Sequence, residues 1–247
     1  MKIALILAAA GSGNRMGASK NKVLLPLAGR PLLTWSLDRF QQDPRVRRIA
    51  VTTAAVDQPA IQALLAPYPK ARAVQGGPTR LDSVGLALDS LLEEAASASL
   101  PPWDKVAVHD GARPLLSQGD WDRLLAAAAQ APAALLVRPL TDTIKQTAGG
   151  QVLSTIPRAQ LAAALTPQIF DLSVLAEAYR LARLCNRQAT DDAELVERLG
   201  YRPVAVPALD PNPKITYPPD LAIAQALLNL ARMDDRPDPR KPKEDAL

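Results

Sequence analysis

Apolar side chains run unbroken through residues 3–10 and stop at Gly11, a run suited to a strand buried on both faces and too short to span a bilayer. Residues 2–9 are therefore expected as a parallel strand. Beyond the glycine-rich stretch that follows, the period changes. Pro31 suits a first helical position and Leu33, Leu37 and Phe40 fall on one helical face. Residues 46–53 return as a strand, followed by a helix over about 57–66, a short strand ending near Gln75, and a helix with Leu81, Val84, Leu88 and Leu91 on one stripe. A strand at 105–109 runs into Asp110-Gly-Ala-Arg-Pro, and an alanine-rich helix beginning near Trp121 leads to a strand at 133–137. Strands separated by helices of this length predict an α/β fold with a doubly wound, mostly parallel sheet and right-handed crossovers.

Residues 139–157 break that rhythm as two extended segments joined at Gly149-Gly150, a dipeptide suited to a hairpin turn, and are expected to form a projecting β-arm. An isolated hairpin is marginal in water, so the arm should pack on something, with a second subunit the natural candidate. Helices are expected at 172–184 and 191–199, a strand at 201–206, and a last helix from near Pro219. Residues 1–231 read as one domain. Residues 232–247 carry five basic and five acidic residues without an apolar period and should fray.

Composition narrows the function classes. With 48% hydrophobic residues among 247, the chain can bury a substantial core. Its start lacks the cleavage pattern of a secretory signal, which favours a cytoplasmic protein. A single cysteine, Cys185, excludes an internal disulfide and any cysteine-based zinc site, and is expected as a buried thiol. The net charge of +4 invites a nucleic-acid reading, but basic residues are interspersed with acidic ones and aromatic content is only 4%, so no stacking platform is built. Small phosphorylated ligands suit the same excess.

The stretch AAAGSGNRMGASKNK, residues 8–22, holds three of the twelve glycines at the carboxyl end of the first strand, where open α/β sheets bind ligands. A dinucleotide fingerprint wants a small residue where Met16 stands, and a P-loop wants Lys-Ser/Thr after Gly17, where Ala18 and Ser19 stand. Instead Arg15 and Lys22 bracket the fold-back of the loop, placed to flank a phosphorus under attack. The alternative is an ordinary βα loop with solvated cations.

With KVLLPLAGRPLL at 22–33, the loop resembles that of nucleotidyltransferases that activate sugars and polyols. GGPTRLDSV (76–84), VHDGARP (108–114), DTIK (142–145), LTPQIF (165–170), TDDA (190–193) and NPKITYPPDL (212–221) then resemble one family, the 2-C-methyl-D-erythritol 4-phosphate cytidylyltransferases of the non-mevalonate isoprenoid pathway. These ordered segments cover residues 2–231 almost throughout. The resemblance implies a Rossmann-like nucleotidyltransferase fold and transfer of CMP from CTP to the polyol phosphate, with release of pyrophosphate. It implies that Ala9, Ala10, Gly11 and Gly13 border the nucleotide, with Asp110 and Gly111 beside it. Arg15 and Lys22 would stabilise the pentavalent α-phosphate, and Gly77, Arg80 and Ser83 would frame the cytosine, unless they serve only a strand-to-helix turn.

Asp110 would face the ribose, a magnesium ion or the acceptor hydroxyls. Arg113 either meets the acceptor or partners that carboxylate, and His109 is a packed strand residue rather than an acid or base. Arg158 and Lys214 would position the acceptor, with Thr143, Thr166 and Thr190 bonding its phosphate and hydroxyls. Thr143 and Arg158 lie on the arm, which in this family reaches the neighbouring subunit's site, so a homodimer and Mg2+ are both implied. Val23 and Pro78 depart from the family's pattern without removing a charge. The rival readings are a ribitol 5-phosphate cytidylyltransferase, a non-catalytic regulatory protein on the same fold, and a nucleic-acid binder.

Overall fold

The opening apolar run forms β1 (Ile3–Ala8), and its alternate side chains feed two cores: Ile3, Leu5 and Leu7 on one face, Ala4 and Ile6 on the other. This computed structural model describes residues 1–11, 21–97 and 103–234. Gly13, Arg15, Met16 and Gly17 lie outside the described residues, as does the tail beyond 234.

After β1 come a small hairpin, β2 (Pro26–Leu27) and β3 (Arg30–Pro31), then α1 (Leu32–Gln42), β4 (Val46–Thr53), α2 (Gln58–Leu65), β5 (Ala71–Gln75), α3 (Arg80–Ala96), β6 (Lys105–Asp110), α4 (Gln118–Ala128) and β7 (Ala133–Pro139). A second hairpin, β8 (Ile144–Ala148) and β9 (Gln151–Ile156), precedes β10 (Ala162–Asp171), α5 (Leu172–Leu184), α6 (Asp192–Glu197), β11 (Val204–Pro207) and α7 (Pro218–Asp234). Seven strands join in the order β11-β7-β10-β6-β1-β4-β5, with β10 alone antiparallel to its neighbours among the described residues. The doubly wound, mostly parallel sheet is thus as the alternation predicts.

Helices α1, α2 and α4 cover one face, where Phe40 packs edge-on against Trp121 at 5.2 Å and the Trp121 indole N–H donates to Asp43 at 2.7 Å. Helices α3, α5 and α6 cover the other through Val84, Leu88, Leu91, Leu175, Tyr179 and Val196. Both cores are apolar where β1, residues 49–51 of β4 and residues 106–108 of β6 cross them, and β1, buried on both faces from end to end, reads as a continuous hydrophobic run. From β1 the sheet grows through β4 to β5, then restarts at β6 on the opposite side. That reversal opens a crevice at the carboxyl ends of β1 and β6, the place where such sheets take ligands.

A third, smaller core of Leu27, Leu32, Ala112, Ile215 and Ala224 joins the β2–β3 hairpin to α7. It matters because Ile215 is fully buried and its N–H donates to the Ala112 carbonyl at 2.8 Å, which pins residue 214 at the crevice.

The arm is present. Ala148 pairs with Gln151, leaving Gly149 and Gly150 as a two-residue loop with φ of +54° and +77°, the two positive values that a type I′ turn requires. Val152 and Leu153 on it are about 60% exposed, at 62% and 59%.

Several expectations need correction. Strand β10 was not foreseen, because Pro167 breaks its pattern; the strand tolerates that proline at a register irregularity between Ala164 and Gln168. Pro31 caps α1 rather than beginning it. Strand 201–206 starts later, at Val204, and α7 runs on to Asp234, past residue 232 where the tail is expected to begin. Cys185 is exposed, not buried, because it falls on the cap of α5, past the last turn that faces the core. No helix among the described residues is long and apolar enough to cross a membrane.

Candidate active site

The floor of the crevice is backbone. Ala9 donates its N–H to the Thr52 hydroxyl at 3.0 Å and accepts at its carbonyl from Asn21 Nδ2 at 2.8 Å. The same Asn21 amide donates to Asp57 at 2.9 Å, and its Oδ1 accepts from the Val23 N–H, capping a short 3-10 turn that starts at Lys22. Asn21 is only 3% exposed, and through it the exit of the glycine-rich loop is tied to Ala9 just past the carboxyl end of β1 and to Asp57 beyond that of β4, while Lys22 lines the crevice.

One wall is the turn from β5 into α3. Thr79 and Asp82 form a reciprocal capping box, so the first turn of α3 is firmly built. Ser83 accepts from the Gly77 N–H at 3.1 Å and donates to the Thr79 carbonyl at 2.8 Å. Gly76 admits no side chain: a Cβ there would lie 2.6 Å from the Ala10 Cβ and 2.8 Å from Ser83 Oγ. The glycines let this turn close against the end of β1.

Asp110, at the end of β6, is the electrostatic centre. Arg80 Nε donates to its Oδ1 at 3.1 Å, Lys214 Nζ lies 2.7 Å from its Oδ2, and Arg113 Nε stands 3.8 Å from the latter oxygen. Burial works to raise its pKa, but Arg80, Lys214 and Arg113 together prevail and hold the carboxyl well below the usual range. It is therefore ionised at neutral pH. Arg80 also donates to Asp192 at 2.9 Å; burial opposes its charge, yet the two carboxylates hold its pKa above the ordinary value.

The lining residues of this cleft of about 360 Å3 include Lys22, Arg80 and Lys214 against the single carboxylate Asp110, an excess of two positive charges. A groove of about 540 Å3 between α3 and α5 offers no such excess, because Arg183 pairs with Asp89 and Arg180 with Glu177.

His109 is fully buried, edge-on to Phe40 at 5.5 Å. Its Nε2 meets the Arg113 carbonyl at 3.0 Å and its Nδ1 meets the Thr166 hydroxyl at 3.1 Å, while that hydroxyl accepts from the Asp110 N–H at 3.0 Å. The chain of bonds is complete only if Nε2 carries the proton and Nδ1 accepts. Burial brings the imidazole down to about 4. Because the folded state binds the proton less readily than the unfolded one, stability falls as pH drops from about 6.5 to about 4, by about 3 kcal/mol in all. His109 is the chain's one histidine, so its ring proton resonance should titrate near pH 4; a midpoint near 6.5 would refute the buried neutral ring.

Ala9, Ala10, Gly11, Lys22, Gly77, Arg80, Ser83, Asp110 and Lys214 thus meet at one cleft. Gly111 abuts it, its N–H donating to the Ala8 carbonyl at 3.0 Å. Arg113 turns toward the Asn212 carbonyl at 2.9 Å and is largely buried, which favours its role as a partner of Asp110. Thr166 has its hydroxyl committed to His109 and Asp110. Thr190 is exposed and bonds Glu194 at 2.8 Å. Arg158 and Thr143 sit exposed at the base of the arm, Arg158 donating to the Thr141 carbonyl, and neither lines the cleft of its own chain. Sequence reading passed over Asn21, Thr52 and Asp192, although Asn21 adjoins Lys22 and Asp192 lies in the TDDA segment.

No group of three or more His, Cys, Asp or Glu side chains that could hold a metal occurs among the described residues. Both oxygens of Asp110 already face cations, so these residues do not form a magnesium cage of their own.

A glycine-bordered, cationic crevice at the switch point of a doubly wound sheet, with an added hairpin arm, defines an α/β protein of the nucleotidyltransferase class. The model of the family IspD, 2-C-methyl-D-erythritol 4-phosphate cytidylyltransferase, matches residues 3–230. The chain belongs to that family. It is 41% identical over 238 residues to a 2-C-methyl-D-erythritol 4-phosphate cytidylyltransferase of Rhodopirellula baltica, covering 94% of this chain and 97% of that one. A protein of the same name from Symbiobacterium thermophilum is 43% identical over 229 residues, 92% of each chain. The crystal structure of the Thermus thermophilus enzyme of that name superimposes with a TM-score of 0.73 at 34% identity, over 92% of this chain and 98% of that one.

Proposed function

We propose that this chain transfers CMP from CTP to 2-C-methyl-D-erythritol 4-phosphate, the reaction after which its family is named. The observation that carries the reading is the convergence of Lys22, Arg80 and Lys214, from three distant segments, on the cleft centred on Asp110. A phosphate oxygen of the acceptor attacks the α-phosphorus of CTP. The new P–O bond forms as the bond to the bridging oxygen breaks, and pyrophosphate departs with that electron pair. The acceptor phosphate is already ionised, so no general base is needed and His109 has no part in the step. Lys22, with Arg15, stabilises the charge that gathers on the α-phosphate oxygens. The Gly76–Gly77 turn and Ser83 border the base, Arg80 steadies the nucleotide, and Lys214 receives the acceptor. A divalent cation, magnesium first, would arrive on the phosphates of CTP, since the described residues of the cleft supply no cage for it. Both substrates are anions that do not cross bilayers, which supports a cytoplasmic location.

Arg158 and Thr143 are proposed to act in trans. The solvent-exposed arm with Val152 and Leu153 on it needs a surface to cover it, and a second copy of this chain would carry Arg158 to the opposite cleft. Arg158→Ala is then expected to raise KM for the acceptor by roughly tenfold or more, the scale of a charge-assisted hydrogen bond, with KM for CTP nearly unchanged. Mixing it with Lys22→Ala should restore turnover, because hybrid dimers hold one intact cleft; no recovery would place Arg158 outside the site.

The function itself is tested by pyrophosphate release with CTP, UTP or GTP, each with methylerythritol phosphate or ribitol 5-phosphate. Turnover should require CTP and the branched acceptor. Preference for ribitol 5-phosphate would reassign the acceptor, and no release with any pair would overturn the enzyme reading.

A further inference from the structure

Asp192 takes no part in the chemistry above, yet it is fully buried directly behind a residue that lines the cleft. Its Oδ2 accepts from Arg80 Nη2 at 2.9 Å and its Oδ1 accepts from the Tyr179 hydroxyl at 2.6 Å. The carboxylate is itself held in place. Asp191 caps α6 by accepting from the Glu194 N–H at 2.9 Å, and Gln168 on β10 clamps the start of that helix. Its Nε2 donates to Asp191 at 2.8 Å and its Oε1 accepts from the Ala193 N–H at 3.0 Å. Tyr179 reaches Asp192 because α5 lies close to α3 at Gly85, where a Cβ would stand 3.2 Å from the Tyr179 ring. Three elements therefore converge to aim one carboxylate at one guanidinium.

We propose that Asp192 is a positioning residue for nucleotide binding: with Tyr179 behind it, it fixes the orientation of Arg80 at the cleft before CTP arrives. The physical reason is the cost of the arrangement. A buried carboxylate is expensive to desolvate, and an apolar residue of similar volume would serve the fold as well or better. Arg80 has side-chain exposure of 29%, so without Asp192 its guanidinium would sample other rotamers, and CTP would have to freeze them on binding. Asp110 alone does not suffice, because it meets only Nε and is shared with Lys214. Asp192 adds a second fixed point on the same planar group, which sets the plane of the guanidinium as well as its place.

This inference rests on the proposed cytidylyltransferase reading, and its test separates the two. Asp192→Asn keeps the shape and an acceptor for Tyr179 while removing the charge. It is expected to raise KM for CTP about tenfold, with kcat and KM for the acceptor changed by less than about threefold, the signature of lost binding rather than lost transition-state stabilisation. Tyr179→Phe leaves the carboxylate but removes one of its bonds, and should move KM for CTP in the same direction by a smaller factor; it serves as the readout should Asp192→Asn fail to fold. An unchanged KM for CTP in both variants, or equal damage to both substrates in step with a lowered Tm, would overturn the positioning role. Should the wild-type protein release no pyrophosphate, the function reading falls. Titration calorimetry of CTP against wild type and both variants then still decides the positioning role, by the same tenfold weakening or its absence.

Discussion

Lys22→Ala lowers kcat by about a hundredfold or more while leaving KM for CTP within a few-fold of its original value. The expectation follows from when the charge is needed. In CTP the negative charge is spread along three phosphates that other groups also meet, but in the transition state it concentrates on the α-phosphate oxygens. A cation fixed beside that point acts mainly on kcat, and loss of one transition-state donor costs about 3–4 kcal/mol. The fixing is visible in the fold. Lys22 begins a turn that Asn21 caps, and Asn21 is anchored to Ala9 just past β1 and to Asp57 after β4. Single-turnover kinetics with saturating CTP measures the effect directly. Turnover equal to that of the wild type would remove Lys22 from the mechanism.

Arg80→Ala destabilises the protein by about 3–5 kcal/mol, in addition to weakening CTP binding, because it strips a partner from two carboxylates at once. The side chain of Asp192 has no solvent exposure and that of Asp110 has 9%, so neither regains water in exchange. Lys214 remains for Asp110 and Tyr179 for Asp192, which keeps the cost at the scale of a broken buried pair rather than two. For a chain of this size that lowers Tm by about 10 °C. Denaturant melts and thermal scans check it, and a loss below about 1 kcal/mol would mean that the guanidinium does not bridge the two carboxylates in solution. Together the two variants separate a cation that serves the reaction from one that serves both reaction and fold.

Local features of the chain carried much of this. The run at β1, the helical stripes of α1 and α3, and the Gly149-Gly150 turn were legible because each depends on side chains within a few positions of one another. Strand β10 was not, since Pro167 disguises it and its place between β6 and β7 depends on the sheet rather than on its own residues. The exposure of Cys185 and the committed hydroxyl of Thr166 escaped for the same reason: burial and bonding partners belong to neighbours far along the chain.

By itself, then, the amino-acid order determined the doubly wound α/β architecture, the arm, and the motifs that hold Lys22 and Lys214, two cations that line the cleft. Only the tertiary structure decided that Lys214 would rest on Asp110, that Asp192 would stand behind Arg80, and that the Thr166 hydroxyl would be taken up by His109 and the Asp110 N–H. Periodicity records which face of an element is buried. It does not record which distant element will cover that face, and a site assembled from strand ends, a helix start and a pinned loop exists only once the sheet order is set.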